Sequence, residues 1–351
     1  MINSIEIKNF KGIKDLKLED FSKINFFVGK ANTGKTSILE ALYAFLLKNP
    51  NDIIQLLDVR KIHVDDDAFQ SFFYDYDLNK KPLIESDKNK LKIDCDKNIS
   101  YTNVPFDKQD NLITETSRGI NEINFIYENF QGVETTFNIK KTFPNPGQIQ
   151  FQQTMNLRPN KNKEIKISMT LSVDFIYQNS FYDKNLINHL SLILSDKQKR
   201  EELKRICKEF SDDIEELSFI DGKIVTQKSN LNHTINFKLL GEGFKKYIAI
   251  RASILSGKKY ILIDELENGL HYEGIEKLLN AILKTNDDVQ FFITTHNLEL
   301  LQKLSEILYR EKNEKVSVFN IYENKNKQIK SVKLTQEELI SNIENNNEIR
   351  D

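Results

Sequence analysis

The sequence predicts an α/β fold, a mixed sheet with helices that carries an inserted β-rich and helical region. Three observations lead there. An apolar run, Ile24-Asn-Phe-Phe-Val28, passes directly into a glycine-containing loop, Gly29 to Ser37, which is followed by apolar residues at helical spacing. In the last third of the chain, short apolar runs alternate with amphipathic stretches, the pattern of βαβ units on a parallel sheet. Between these parts, residues 51–182 break into short alternating segments separated by Asn, Asp, Pro and Gly, as antiparallel strands with long turns do.

Taken in order, Ile5, Ile7 and Phe10 alternate with polar residues, as on an edge or half-buried strand, and Ile13, Leu16 and Leu18 suggest a second one. Ile24 to Val28 is a buried-type strand. Ile38, Leu39, Leu42, Phe45 and Leu46 mark a helix that stops by Asn49-Pro50. Leu91 to Cys95, Asn124 to Tyr127 and Ile165 to Leu171 read as strands, with turns at Gly132 and Phe143 to Gly147. Residues 184–216 read as charged helix, and Ile220 to Phe237 as β structure turning at Asp221-Gly222. Then come a helix (Phe244 to Leu255), a buried strand (Tyr260 to Ile263), a helix (Glu273 to Leu283), a second buried strand (Val289 to Thr294), a helix (Leu298 to Arg310) and a final strand (Val316 to Glu323). The Asn-rich tail from Asn342 to Asp351 is expected to fray. The division that follows is 1–50, an N-terminal part with the glycine loop; 51–182, a β-rich insertion or lobe; 183–235, a helical and β arm; and 236–351, a C-terminal part of the same α/β unit.

A chain of 351 residues can bury a sizeable core and form two lobes. Hydrophobic residues make up 39% and charged residues 29%, so the chain reads as a water-soluble globule. The formal net charge of -2 gives no global field for nucleic acid, so any such contact needs a local patch. Two cysteines and five scattered histidines lack metal-site spacing and suit a reducing, cytoplasmic setting. The charge inside the apolar start is not what a signal peptide is expected to show, and no apolar run reaches membrane-spanning length; Tyr247 to Leu255 is interrupted by Arg251.

Gly29-Lys-Ala-Asn-Thr-Gly34-Lys35-Thr36-Ser37 has the spacing of a phosphate cradle. Backbone N–H groups of Gly29, Lys30, Ala31, Asn32, Thr33 and Gly34 would wrap a polyanion, with glycine where a Cβ is forbidden. The helix that follows points its N-terminus at the phosphates. Lys35 would pair with the β- and γ-phosphates of ATP, and Thr36 would ligate Mg²⁺. Tyr260-Ile-Leu-Ile-Asp264-Glu265 delivers two carboxylates at the end of a buried strand, where ligand crevices of parallel sheets lie. Asp264 would hold Mg²⁺ directly or through water. Glu265 would act on the attacking water as general base or as positioning group. Val289-Gln-Phe-Phe-Ile-Thr-Thr-His296-Asn297 ends a second such strand, and His296 would sense the γ-phosphate. Leu240-Gly241-Glu242-Gly243-Phe244 opens a helix and makes a second anion-binding end.

These elements in this order resemble an ABC-type P-loop ATPase head. Leu240 to Ile250 aligns without gaps with that family's Leu-Ser-Gly-Gly-Gln signature helix, and Asn9-Phe10-Lys11-Gly12 is similar to the opening of its SMC, RecF and OLD branch. Asp264-Glu-Leu-Glu-Asn-Gly-Leu-His271 and Thr294-Thr-His-Asn297 resemble the AbiEii/OLD-like "AAA" ATPases of bacterial abortive-infection and antiphage systems, as does the closing stretch from Asn320 to Leu339. The resemblance covers about residues 1–50 and 236–345.

It implies a homodimer, or a higher even oligomer, that closes on ATP and Mg²⁺, with Gly241, Glu242 and Gly243 of one protomer meeting the nucleotide of another. It implies further that Lys11 touches phosphate, and that Glu267, Asn268 and Gly269 form the loop where protomers meet. Gln70 is the candidate for the glutamine that watches Mg²⁺; the alternative is an ordinary surface residue. Gly241 replaces the signature serine and Phe244 the usual Gln or Glu, which implies slower or differently gated hydrolysis. The stretch after His296 is too short for the nuclease domain of OLD proteins, so an effector would be a separately encoded protein. Long heptad arms are missing from the sequence. Arg158 to Lys166 and Lys197 to Arg205 could meet DNA phosphates or be solvated faces. A RecF-like DNA-repair role and a low-turnover nucleotide-gated scaffold are the competing expectations.

Overall fold

The computed structural model describes residues 1–47, 56, 68–87, 89–96, 100–101, 116–117, 120, 122–129, 132–145, 148–158, 173–177, 184–286, 288–311 and 315–344. The chain opens with β1 (Ile5–Phe10), β2 (Ile13–Leu18) and β3 (Ile24–Val28), then the glycine loop and α1 (Lys35–Leu47). Next come β4 (Leu83–Ser86), β5 (Asn89–Asp96), the small pair β6 (Ser100–Tyr101) and β7 (Thr116–Ser117), β8 (Glu122–Glu128), β9 (Glu134–Asn145), β10 (Gln148–Arg158) and β11 (Val173–Ile176). Two helices, α2 (Lys184–Ser195) and α3 (Lys197–Phe210), lead into β12 (Ile214–Ile220), β13 (Lys223–Lys228) and β14 (Ile235–Asn236). The chain ends α4 (Glu242–Leu255), β15 (Tyr260–Ile263), α5 (Tyr272–Leu283), β16 (Gln290–Thr294), α6 (Leu298–Glu311), β17 (Val316–Glu323), β18 (Ile329–Leu334) and α7 (Gln336–Glu344).

Two large sheets organise these elements. One has six strands in the order β11-β15-β16-β3-β17-β18, parallel except for the last pair. All residues of β3 and β16 are buried, because both faces of this sheet are covered. The other is a seven-stranded antiparallel sheet, β10-β9-β8-β5-β4-β1-β2. Helix α1 lies between the sheets and contacts β1 and β4 on one side and β11, β15 and β16 on the other. Its sequence is apolar nearly all round, as that double burial requires.

Two cores result. Phe27, Phe292 and Phe319 face α1 and the antiparallel sheet, while Ile24, Phe26, Phe291 and Ile293 face the helices on the far side. The alternation along β3 and β16 is the pleat dividing one strand between two cores. Phe21 meets Phe292 and Phe319 edge to face, with ring centroids at 5.1 and 5.5 Å. Two polar residues on these strands, Asn25 and Gln290, are fully buried and paired. Asn25 donates to the carbonyls of Ser22 and Phe291 at 2.8 and 3.1 Å, and Gln290 clips both backbone groups of Ile2.

Several expectations change against this architecture. Strand β1 pairs on both sides, with β2 and β4, so it is an interior strand. The β-rich segment continues the sheet that β1 and β2 begin, while β11, from the end of that segment, joins the parallel sheet beside β15. Residues 214–216 begin β12 instead of ending a helix. Val316–Glu323 is followed by β18 and α7, because the turn at Asn324 to Gln328 folds the chain back antiparallel onto β17. The turn at Asp221-Gly222 is a two-residue hairpin loop with both residues at positive φ. Ile165 to Leu171 and most of Arg158 to Lys166 lie outside the described residues, as does the end of the tail; Lys197 to Arg205 is the exposed start of α3.

Candidate active site

β3, β15 and β16 lie side by side, and their C-terminal ends deliver the site. The register pairs Ile263 with Ile293 and Thr294 with Phe27. The loop after β3 therefore sits beside the carboxylates after β15 and the histidine after β16. A cleft of about 660 Å³ is lined by Ala31, Asn32, Gly34, Lys35, Thr36 and Ser37 together with Lys11, Asp264, Glu265, Thr294 and His296. A larger cavity, about 1020 Å³, lies near the starts of β15 and β16 among Arg251, Lys258 and Asp288, away from all of these groups.

The loop's glycines are dictated by contact as well as by φ. A Cβ on Gly29 (φ 140°) would stand 2.1 Å from the Ile321 carbonyl oxygen, and one on Gly34 (φ 87°) 2.4 Å from Ile329 Cδ1. Asn32 takes the left-handed conformation at φ 64°. Lys35 is buried, and its ammonium donates to the carbonyls of Gly29 and Lys30 at 2.8 and 2.5 Å. Thr33 donates to the Lys30 carbonyl at 2.9 Å. Burial lowers the Lys35 pKa, opposed by Asp264, Glu265 and Glu267.

Thr36 Oγ1 lies 3.1 and 3.2 Å from the two oxygens of Asp264. A hydroxyl and a carboxylate at that separation are the hard oxygen donors that Mg²⁺ takes, the rest of its shell coming from phosphate and water. Among the described residues there is no cluster of three or more His, Cys, Asp or Glu able to hold a metal by itself. Thr294 Oγ1 donates to Asp264 at 2.7 Å and accepts the Glu265 N–H at 2.8 Å, so one hydroxyl ties the acidic pair to β16. Burial raises the Asp264 pKa, while bonds from Thr294 and Thr36 oppose the rise.

Glu265 sits at φ 50°, strained for a side chain that bears a Cβ. Its carboxylate is half-exposed toward the cleft and accepts a short bond from Asn268 Nδ2. His296 Nδ1 is 3.7 Å from that carboxylate and 3.2 Å from the buried Glu267, which also accepts the His296 N–H at 3.0 Å. Asn268 and Glu267 thus serve the acidic pair and the histidine of their own chain. A carboxylate, an imidazole and a buried ammonium around one cleft can polarise water next to a polyanion.

The remaining candidates are placed differently. Lys11 lines the cleft, but its ammonium pairs with the fully buried Glu40 of α1 at 2.7 Å and lies over the rings of Phe10 and Phe72. Gln70 donates to the Tyr76 carbonyl at 2.9 Å; Ser71 and residues 73–76 of the same segment line the cleft while Gln70 does not. Gly241 and Glu242 form the exposed start of α4, outside that cleft, and Glu242 pairs with Lys245. Gly243 packs on the acidic loop, where a Cβ would stand 2.3 Å from the Gly269 carbonyl oxygen. Sequence reasoning assigned no role to Thr294, Glu40 or Lys246. Glu40 carries a signal that was available, since it is a charge within an otherwise apolar stretch of α1.

The chain is 28% identical over 335 residues, 89% of each chain, to an "ATP/GTP phosphatase" of Helicobacter pylori. It is 44% identical over 46 residues, 13% of each chain, to the DNA replication and repair protein RecF of Lactococcus lactis. In fold it is similar to an Smc head bound to the C-terminal winged-helix domain of ScpA, with a TM-score of 0.51 at 14% identity over 97% of this chain and 99% of that one. Residues 24–302 match the family described as "AAA domain, putative AbiEii toxin, Type IV TA system". The chain belongs to that family of AAA ATPases and has the fold of an ABC-type P-loop ATPase head.

Proposed function

We propose that this protein hydrolyses ATP at a site that two copies close together, and that the closing and opening of the dimer control a separately encoded effector, a nuclease or toxin, in bacterial antiphage defence. The observation that carries the reading is the convergence on one cleft of Lys35, the Thr36–Asp264 pair, Glu265 and His296, while a second glycine-led helix end at Gly241 faces solvent outside that cleft. A helix start with free N–H groups is an anion site. Here it is free to meet phosphates held by another copy. Lys35 binds the phosphate chain. Thr36 and Asp264 would hold Mg²⁺, which would supply positive charge to the phosphate chain. Glu265 orients the attacking water, and His296, held by Glu267, faces the γ-phosphate. The family's description and the relative's phosphatase activity support the ATPase step and the link to toxin systems.

Light scattering of the Glu265→Gln variant with ATP and Mg²⁺ tests the dimer. The expected result is a stable dimer with ATP and a monomer without nucleotide or with Lys35→Ala added. A mass independent of nucleotide in all variants contradicts it.

A second reading, a RecF-like DNA-binding ATPase, draws on the RecF similarity. It requires ATP-dependent, salt-sensitive binding to duplex DNA by the protein alone.

A further inference from the structure

We infer that Lys246 is the positioning residue for Glu265: from helix α4 its ammonium grips the main-chain carbonyls of Asp264 and Glu265, and so ties the glycine end of that helix to the aim of the carboxylate. The inference rests on the ATPase reading above and adds to it the internal link between the exposed glycine loop and the chemistry.

Lys246 lies on α4 three positions beyond Gly243 and is 1% exposed. An ammonium in such a place must be hydrogen-bonded to remain charged. Its partners are backbone oxygens: the Asp264 carbonyl at 3.2 Å and, by a short bond, the Glu265 carbonyl. Burial pushes its pKa down to about 8, with Glu267, Asp264 and Glu265 opposing the fall.

The gripped loop needs holding. Glu265 occupies the left-handed region at φ 50°, a conformation that persists in a residue with a Cβ only where surrounding bonds over-determine it. Those bonds are the Glu265 N–H to Thr294 Oγ1 at 2.8 Å, the Asn268 N–H to the Glu265 carbonyl at 3.0 Å, and Lys246 on that same carbonyl. Of the three, only Lys246 comes from α4. The same helix also touches the loop at Gly243, whose missing side chain admits the Gly269 carbonyl, while Gly269 itself turns at φ 78° against Glu242. Glu267, whose buried Oε2 has no hydrogen-bond partner, also acts on Lys246 electrostatically and favours its charged form. The first turns of α4 and the segment Asp264 to Gly269 therefore form one unit.

This arrangement has a mechanical consequence. Gly241 and Glu242 are the exposed tip of α4, and a helix transmits an axial push with little loss. A displacement of that tip by a partner's phosphates is carried to Lys246 and from it to the peptide that aims Glu265. Turnover in one site is thereby coupled to engagement of the other.

The test compares the parent protein with Lys246→Met, Lys246→Gln, Glu265→Gln and the double variant Lys246→Met/Glu265→Gln. ATP affinity, kcat and Tm are measured for each in the presence of Mg²⁺. Methionine fills the lysine volume without the ion, a replacement that buried sites commonly tolerate. The expected result is a fall in kcat of about ten- to a hundredfold in both Lys246 variants, with ATP affinity within about threefold of the parent and Tm retained. In the double variant, kcat falls no further than in Glu265→Gln alone, because both changes act through one carboxylate. An unchanged kcat in Lys246→Met beside an inactive Glu265→Gln overturns this inference and leaves the ATPase reading standing. A parent-like Glu265→Gln overturns both. Parallel losses of kcat, affinity and Tm, or failure of both Lys246 variants to fold, make Lys246 a structural ion and also overturn the inference.

Discussion

At the scale of single residues, the site is built from backbone conformations that few side chains allow. Gly29 and Gly34 are confined by the chain that follows them in space, β17 through the Ile321 carbonyl and β18 through the Ile329 side chain. Gly34→Ala meets a flexible side-chain tip, so the clash can be relieved at its source, whereas Gly29→Ala meets a carbonyl. The expected outcome for Gly34→Ala is a loss of ATP affinity of about tenfold or more, partly restored by adding Ile329→Ala; φ strain at position 34 keeps the recovery incomplete. Isothermal calorimetry of the single and double variants checks this, and a lack of recovery would mean that Ile329 does not set the constraint. The glycines themselves were legible in the sequence, because a phosphate cradle requires them at that spacing. The reason Gly34 cannot be anything else was not legible, because Ile329 is far away in the chain. Lys11 shows the reverse case: its motif pointed to phosphate, but its ammonium is held by Glu40, a pairing that only the packing of β1 on α1 creates.

At the scale of elements, the parallel sheet gives the site its rigidity. Phe292 is fully buried in β16, stacked on Phe27 at 6.2 Å and edge-on to Phe21 at 5.1 Å. It lies two residues before Thr294, which ties Asp264 and Glu265 to the strand. Phe292→Ala is expected to cost about 3–5 kcal/mol, the range for a large aromatic removed from a packed core. Denaturant unfolding measures it, and Cys207 offers a second probe. Burial pushes its thiol up to about 12, so it stays unreactive in the fold and labels on unfolding. A cost under about 1 kcal/mol would show that the aromatic layer is not a mainstay of the core. The buried strands β3, β15 and β16 were readable from their unbroken apolar runs. The role of β1 was not, since alternation shows which face is buried and not how many neighbours pair with the edges. The sheet to which β11 belongs was also hidden, because pairing with β15 is decided by a crossover and leaves no local mark.

At the scale of the whole molecule, α1 between two sheets and α4 against the acidic loop bring the groups of the cleft together within one chain, while Gly241 and Glu242 lie exposed outside it. No helix among the described residues is long and apolar enough to cross a membrane. The family and the order of its motifs were legible because phosphate chemistry fixes residue types at fixed spacings. The contacts of Glu267 with His296 and of Asn268 with Glu265 were not, because they join the ends of two strands that only the sheet brings side by side.

In the proposed mechanism Glu265 directs water onto the γ-phosphate. Steady-state phosphate release by Glu265→Gln, set beside its ATP affinity, tests this most directly. Turnover is expected to fall by about a hundredfold or more with ATP affinity within a few-fold of the parent. Turnover equal to that of the parent protein would contradict it.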